Sequence, residues 1–134
     1  MEDWGRQLLQ AGLTLTEMTA IGLNLEENAL KKYIENGTLY LSPPAVNLEE
    51  TKLGDVITAF HRDFSLVTVH GKCRYSGLYA WLLTGEKFRV QLPQNHVLVQ
   101  SGRQLEWLTG GYLQAGWHEV IHNEMVESQK QKII

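Results

Sequence analysis

His61-Arg62-Asp63 sets an imidazole and a carboxylate two residues apart, at the end of the short apolar run Val56 to Phe60. On a strand, residues i and i+2 share a face, so these two side chains converge and Arg62 turns away. A second histidine from a later strand would complete a set of two imidazoles and one carboxylate. Such a set covers one face of an octahedron and leaves three positions open, which suits Fe(II) that must meet substrate oxygens and O2. His118 follows Asp63 by 118 − 63 = 55 residues, within Gly116-Trp117-His118-Glu119-Val120. The expected metal ligands are His61, Asp63 and His118. The competing reading of each histidine is a hydrogen-bonded structural group on a strand. The other histidines, His70, His96 and His122, read as turn or surface groups.

The elements that must position these residues follow from pattern. Leu8, Leu9, Leu13, Leu15, Met18, Ile21 and Leu23 recur at three- and four-residue spacing and predict a helix. Thr14 with Glu17 has the form of a capping box, and Gly22 or Asn24 is the expected stop. A second short helix is expected from Glu26 to Ile34, ended by Asn36-Gly37. Pro43-Pro44 closes the helical part, because proline lacks an amide hydrogen and restrains its predecessor. Strands are then expected at 56–60, 64–69, 77–83, 88–92, 97–100 and 115–122, with turns at Thr84-Gly85-Glu86-Lys87 and Gly110-Gly111. Short strands so punctuated predict a mostly β fold with N-terminal helices (α+β), built as an incomplete double-stranded β-helix or jelly roll. The expected organisation is an N-terminal helical segment (1–38), a jelly-roll core (39–122) and a polar tail (123–134).

Composition removes several function classes. The chain has 134 residues, 43% hydrophobic and 20% charged, enough to bury a core. Its formal net charge of −3 carries no basic excess for nucleic acid. No run of about 18 apolar residues predicts a membrane helix, and the acidic opening Met1-Glu2-Asp3 does not resemble a signal peptide. Cys73 is the only cysteine, so no disulfide forms within the chain and a cytoplasmic setting is expected. Cys73 reads as an inert thiol, since no nucleophile signature surrounds it.

The region from Leu39 to Ile121 resembles the isopenicillin N synthase-like family of Fe(II)/2-oxoglutarate-dependent oxygenases. Its first ligand block looks like His61-Arg62-Asp63 followed by Leu66-Val67-Thr68-Val69. Gly77-Leu78-Tyr79-Ala80-Trp81 and Phe88-Arg89-Val90-Gln91-Leu92-Pro93 match its next two strands, and Val97 to Glu106 its following segment. Leu108-Thr109-Gly110-Gly111, then Ala115 to Val120, resembles the block around its second histidine ligand. The resemblance implies 2-oxoglutarate as co-substrate, with Tyr40 before Pro43-Pro44 as a candidate co-substrate contact. It also implies a small-molecule substrate and O2 as partners, and pocket residues among Phe60, Leu78, Tyr79 and Trp81. Gln100 and Gln104 are candidate partners for the ligand histidines, and the four tryptophans are expected in the core.

The departures concern the co-substrate. The family's Arg-x-Ser motif, whose arginine grips the distal carboxylate of 2-oxoglutarate, should follow the second histidine, yet no arginine follows Arg103. Arg103 stands where the family has aspartate, and Glu119 where it has arginine. The expectation is therefore a piece of a longer protein, or a chain whose open sheet edge pairs with a protein partner or a second copy. Two other functions compete with the oxygenase: a non-catalytic binding or structural protein on a degenerate jelly roll, and a cupin-like metal protein that uses no 2-oxoglutarate.

Overall fold

The computed structural model describes residues 2–35, 37–42, 45–72 and 77–130. Asn36, Pro43, Pro44, Cys73 and the last four residues lie outside the described residues. The chain divides into two compact units, Met1–Pro44 and Ala45–Ile134.

In the first unit, helix α1 spans Glu2–Gly22 and helix α2 spans Lys31–Glu35. The α1 periodicity buries Thr16 and Ala20. Thr14 and Glu17 lie inside α1 and cap nothing, because the helix already begins at Glu2. Threonines in its interior bond back to the preceding turn instead, Thr16 Oγ1 to the Leu13 carbonyl and Thr19 Oγ1 to that of Leu15. The stop is Asn24, at φ 57°, with Leu25 N–H bonded to the Ala20 carbonyl and Asn24 N–H to that of Ile21. This is a left-handed cap in which asparagine does the work usually given to glycine. Of the second expected helix only its last part forms, as α2.

The second unit holds the strands. A 3-10 turn at Leu48–Glu50 leads into β1 (Val56–His61), β2 (Val67–His70), β3 (Leu78–Trp81), β4 (Lys87–Arg89) and β5 (Leu98–Ser101). Helix α3 (Arg103–Leu108), β6 (His118–Ile121) and helix α4 (Glu124–Lys130) follow. One antiparallel sheet has the order β1-β6-β3-β4, and β2 pairs antiparallel with β5 in a second. Neither outer edge of the β2–β5 pair has a strand partner among the described residues. Gly85 (φ 87°) makes the β3–β4 hairpin turn, where only glycine is unstrained. Leu48, Leu66, Leu105, Ala115 and Val126 form the buried apolar set.

Two local features bear on the site. The β1–β6 register slips twice, from Val56↔Ile121 to Thr58↔Val120 to His61↔His118. Each slip adds one residue to β1, and without them Ala59 would stand opposite His118. The bulges therefore carry His61 into register with His118. Helix α3 follows β5 in a stretch where the sequence reading expected no helix. Its N-cap Gly102 offers no side-chain bond, so no start signal is written in the sequence.

Candidate metal centre

The site is built where β1 ends against the start of β6. His61 and His118 are direct cross-strand partners, with ring centroids 4.2 Å apart. Asp63 follows His61 just beyond the strand. Its Oδ1 lies 3.4 Å from His61 Nε2 and 3.6 Å from His118 Nε2. One ligand atom from each of the three residues falls within 4.8 Å of the other two. On the far side of β6, Ala80 of β3 pairs with His118.

Both imidazoles are fixed by backbone. His61 Nδ1 bonds the Ala59 carbonyl at 2.7 Å and His118 Nδ1 bonds that of Gly116 at 3.2 Å. A carbonyl only accepts, so Nδ1 donates in each ring and Nε2 is the atom turned to Asp63. Gln100 and Gln104 do not orient these rings, because the carbonyl two residues before each histidine is already in place. Burial of His118, only 4% exposed, holds its pKa below the usual 6.5, outweighing the Gly116 bond and the Asp63 charge that pull the other way. The neutral ring is the form that binds metal. Two imidazole Nε2 atoms facing one carboxylate oxygen, Asp63 Oδ1, make a hard-plus-borderline donor set that fits a divalent first-row cation.

Arg62, turned away as expected, ties the site to α3. Its Nη1 donates to both Glu106 oxygens at 2.9 and 3.1 Å, and its guanidinium lies 4.8 Å from the Trp117 ring. Glu106 Oε2 also accepts the Ala115 N–H at 2.7 Å. Glu106 thus joins the turn between His61 and Asp63 to the loop entering β6. That backbone bond, and then the Arg62 charge, hold its carboxyl below the usual 4.5. A depressed carboxyl stabilises the fold fully above the unfolded value and loses that contribution as pH falls through the folded one. The melting temperature should therefore drop more steeply below about pH 4.5 in the wild type than in Glu106→Gln, as followed by circular dichroism. Nothing in the sequence marked Glu106 except its place near Trp107.

Other expected residues fall elsewhere. Leu78 shares the Ala80 face by strand alternation, whereas Phe60, Tyr79 and Trp81 point to the opposite face. There Phe60 stacks on Trp117 at 4.3 Å and meets Trp81 edge-on at 4.6 Å, with Lys87 over Tyr79 and Trp81. These three are not pocket residues, because the bulged register gives the site's face to His61. Trp4, Trp107 and Trp117 are exposed rather than core, and Arg103 lies between Phe64 and Trp107. Tyr40, in the first unit, is 88% exposed. His96 sits in an exposed turn, bonded to the Gln94 carbonyl. His122 is fully buried, contrary to expectation, and bridges Thr51 Oγ1 and Glu127 Oε2 at 2.7 Å each. His70 is a strand residue whose Nε2 is buried, not a turn group.

No family model and no curated protein matches the chain. Solved structures do. A Caulobacter crescentus protein assigned to the 2OG-Fe(II) oxygenase family superposes with TM-score 0.72 at 20% identity, over 92% of this chain and 40% of that one. A Neurospora crassa protein, crystallised in a C-terminally truncated apo form, superposes with TM-score 0.71 at 14% identity, over 92% of this chain and 45% of that one. A Shewanella oneidensis protein assigned as an oxygenase is 26% identical over 61% of this chain and 30% of that one, with TM-score 0.50. The chain thus spans less than half the length of these proteins, and its mixed helix and antiparallel-sheet fold is theirs. Among the described residues, no helix is long and apolar enough to cross a membrane.

Proposed function

We propose that this chain carries the iron centre of an Fe(II)-dependent oxygenase of the 2-oxoglutarate-dependent kind, which hydroxylates or oxidises a small organic substrate with O2. The observation that carries the reading is the convergence of His61, Asp63 and His118 within 4.8 Å, with each imidazole held at Nδ1 by a backbone carbonyl. Iron bound there would supply oxygen activation coupled to decarboxylation of the 2-oxo acid. The chain's own part is to fix three ligands on one side and keep His118 neutral. The full-length Neurospora crassa protein has been solved with alpha-KG, and with thymine beside it, on the same fold (TM-scores 0.69 and 0.66). In this reading the sheets β1-β6-β3-β4 and β2-β5 are the two faces of a jelly roll. Tyr40 remains the candidate co-substrate contact, and the bare edges of β2 and β5 are where a further strand would pair.

The test is Fe(II)- and O2-dependent release of succinate from 2-oxoglutarate by the purified chain, with Asp63→Ala as control. Succinate above that control supports the reading. Iron binding without succinate would favour a non-catalytic or cupin-like metal protein.

A further inference from the structure

The two oxygens of Asp63 face different partners. Oδ1 faces the two Nε2 atoms of His61 and His118, whereas Oδ2 lies 3.9 Å from His70 Nε2. Both Oδ2 and His70 Nε2 are buried atoms with no hydrogen-bond partner. A buried polar group left unpaired costs about 1–3 kcal/mol, so two that face each other are each other's natural partner. A ring movement of about 0.7 Å would bring 3.9 Å to hydrogen-bond distance. His70 belongs to β2 in the second sheet, opposite Leu98, and reaches the site from a different sheet than the other histidines. It stands outside the set whose ligand atoms lie within 4.8 Å of one another, so it is not grouped with the ligands.

We propose that His70 is a positioning residue of the metal centre: its Nε2–H donates to Asp63 Oδ2 and so keeps Oδ1 turned to the two imidazoles. The terminal torsion of an aspartate is broad, so a carboxylate without this partner can rotate or bind a metal through both oxygens. The donor removes that freedom. This rests on the metal centre proposed above.

The experiment titrates Mn(II) and Co(II) into the full chain and into His70→Ala and His70→Gln, recording the Co(II) absorption spectrum as well as affinity. His70→Ala should bind about 10- to 100-fold more weakly with an altered Co(II) spectrum, and His70→Gln, which keeps an N–H donor, should recover to within about threefold. Should alanine fail to fold, His70→Phe keeps the ring volume without the donor and takes its place. Wild-type affinity and spectrum in the donor-less variant would overturn the proposal. So would a complete loss of metal that glutamine cannot rescue, which would make His70 a ligand. A folded wild type that binds neither cation would instead remove the metal centre itself, and the positioning role with it.

Discussion

His118→Ala should cost metal binding more than about 100-fold, since loss of a mere supporting partner already costs about 10- to 100-fold. The substitution takes away one of three donors and leaves Asp63 Oδ1 facing a single imidazole. It also removes the imidazole whose pKa burial lowers. Fe(II) or Mn(II) titration measures the effect, with far-UV circular dichroism as the folding control. A thermal melt gives a second readout, because metal at 100 times its Kd adds about 2.7 kcal/mol to the wild type and should add less than about 0.4 kcal/mol to the variant. His96→Ala, in an exposed turn, should behave as the wild type. Unchanged affinity in His118→Ala would sink the triad.

Gly102→Ala should be the most destabilising single methyl in the second unit. The backbone there is extended (φ −98°), so conformation is not the obstacle. The obstacle is space: an added Cβ would overlap the Ser65 carbonyl. That contact sits within a ladder of backbone bonds, Gly102 N–H to Leu66, Arg103 N–H to Asp63 and Gln104 N–H to Ser65. Neither side can retreat without breaking it. Overpacking of this kind costs about 3 kcal/mol, and the displaced segment is the one that carries Asp63. Urea denaturation should show the lost stability, and metal affinity should fall with it. Gly54→Ala makes the comparison: a Cβ there meets nothing, so only its left-handed φ of 95° resists.

The strands and their turns were legible because apolar runs and glycine or asparagine breaks are local signals. His61 and Asp63 were legible for the same reason, since two-residue spacing at a strand end implies one face. The site's support was not. Two bulges in β1 shift the register without any mark in Val56 to His61, and so the faces of Phe60, Tyr79 and Trp81 could not be assigned. Helix α3 has a capless start and a single buried residue, Leu105, and was hidden behind a strand-like approach. His70 and His122 look alike in sequence to the exposed His96. Only packing between segments far apart in the chain separates them: Asp63 for His70, Thr51 and Glu127 for His122.

The pairing of β1 with β6 also governs how the molecule assembles. The proposed ligands His61 and His118 lie on strands that are neighbours in space but 118 − 61 = 57 residues apart in the chain. Closing a loop of that length costs on the order of 3–4 kcal/mol of chain entropy, and β6 meets this cost only when it docks between β1 and β3. A cation held by His61, Asp63 and His118 is then a clasp across the strand pairing of longest sequence separation among the described residues. Chelation should open that clasp from the β6 side, so amide exchange in β6 should quicken before exchange in the β3–β4 hairpin.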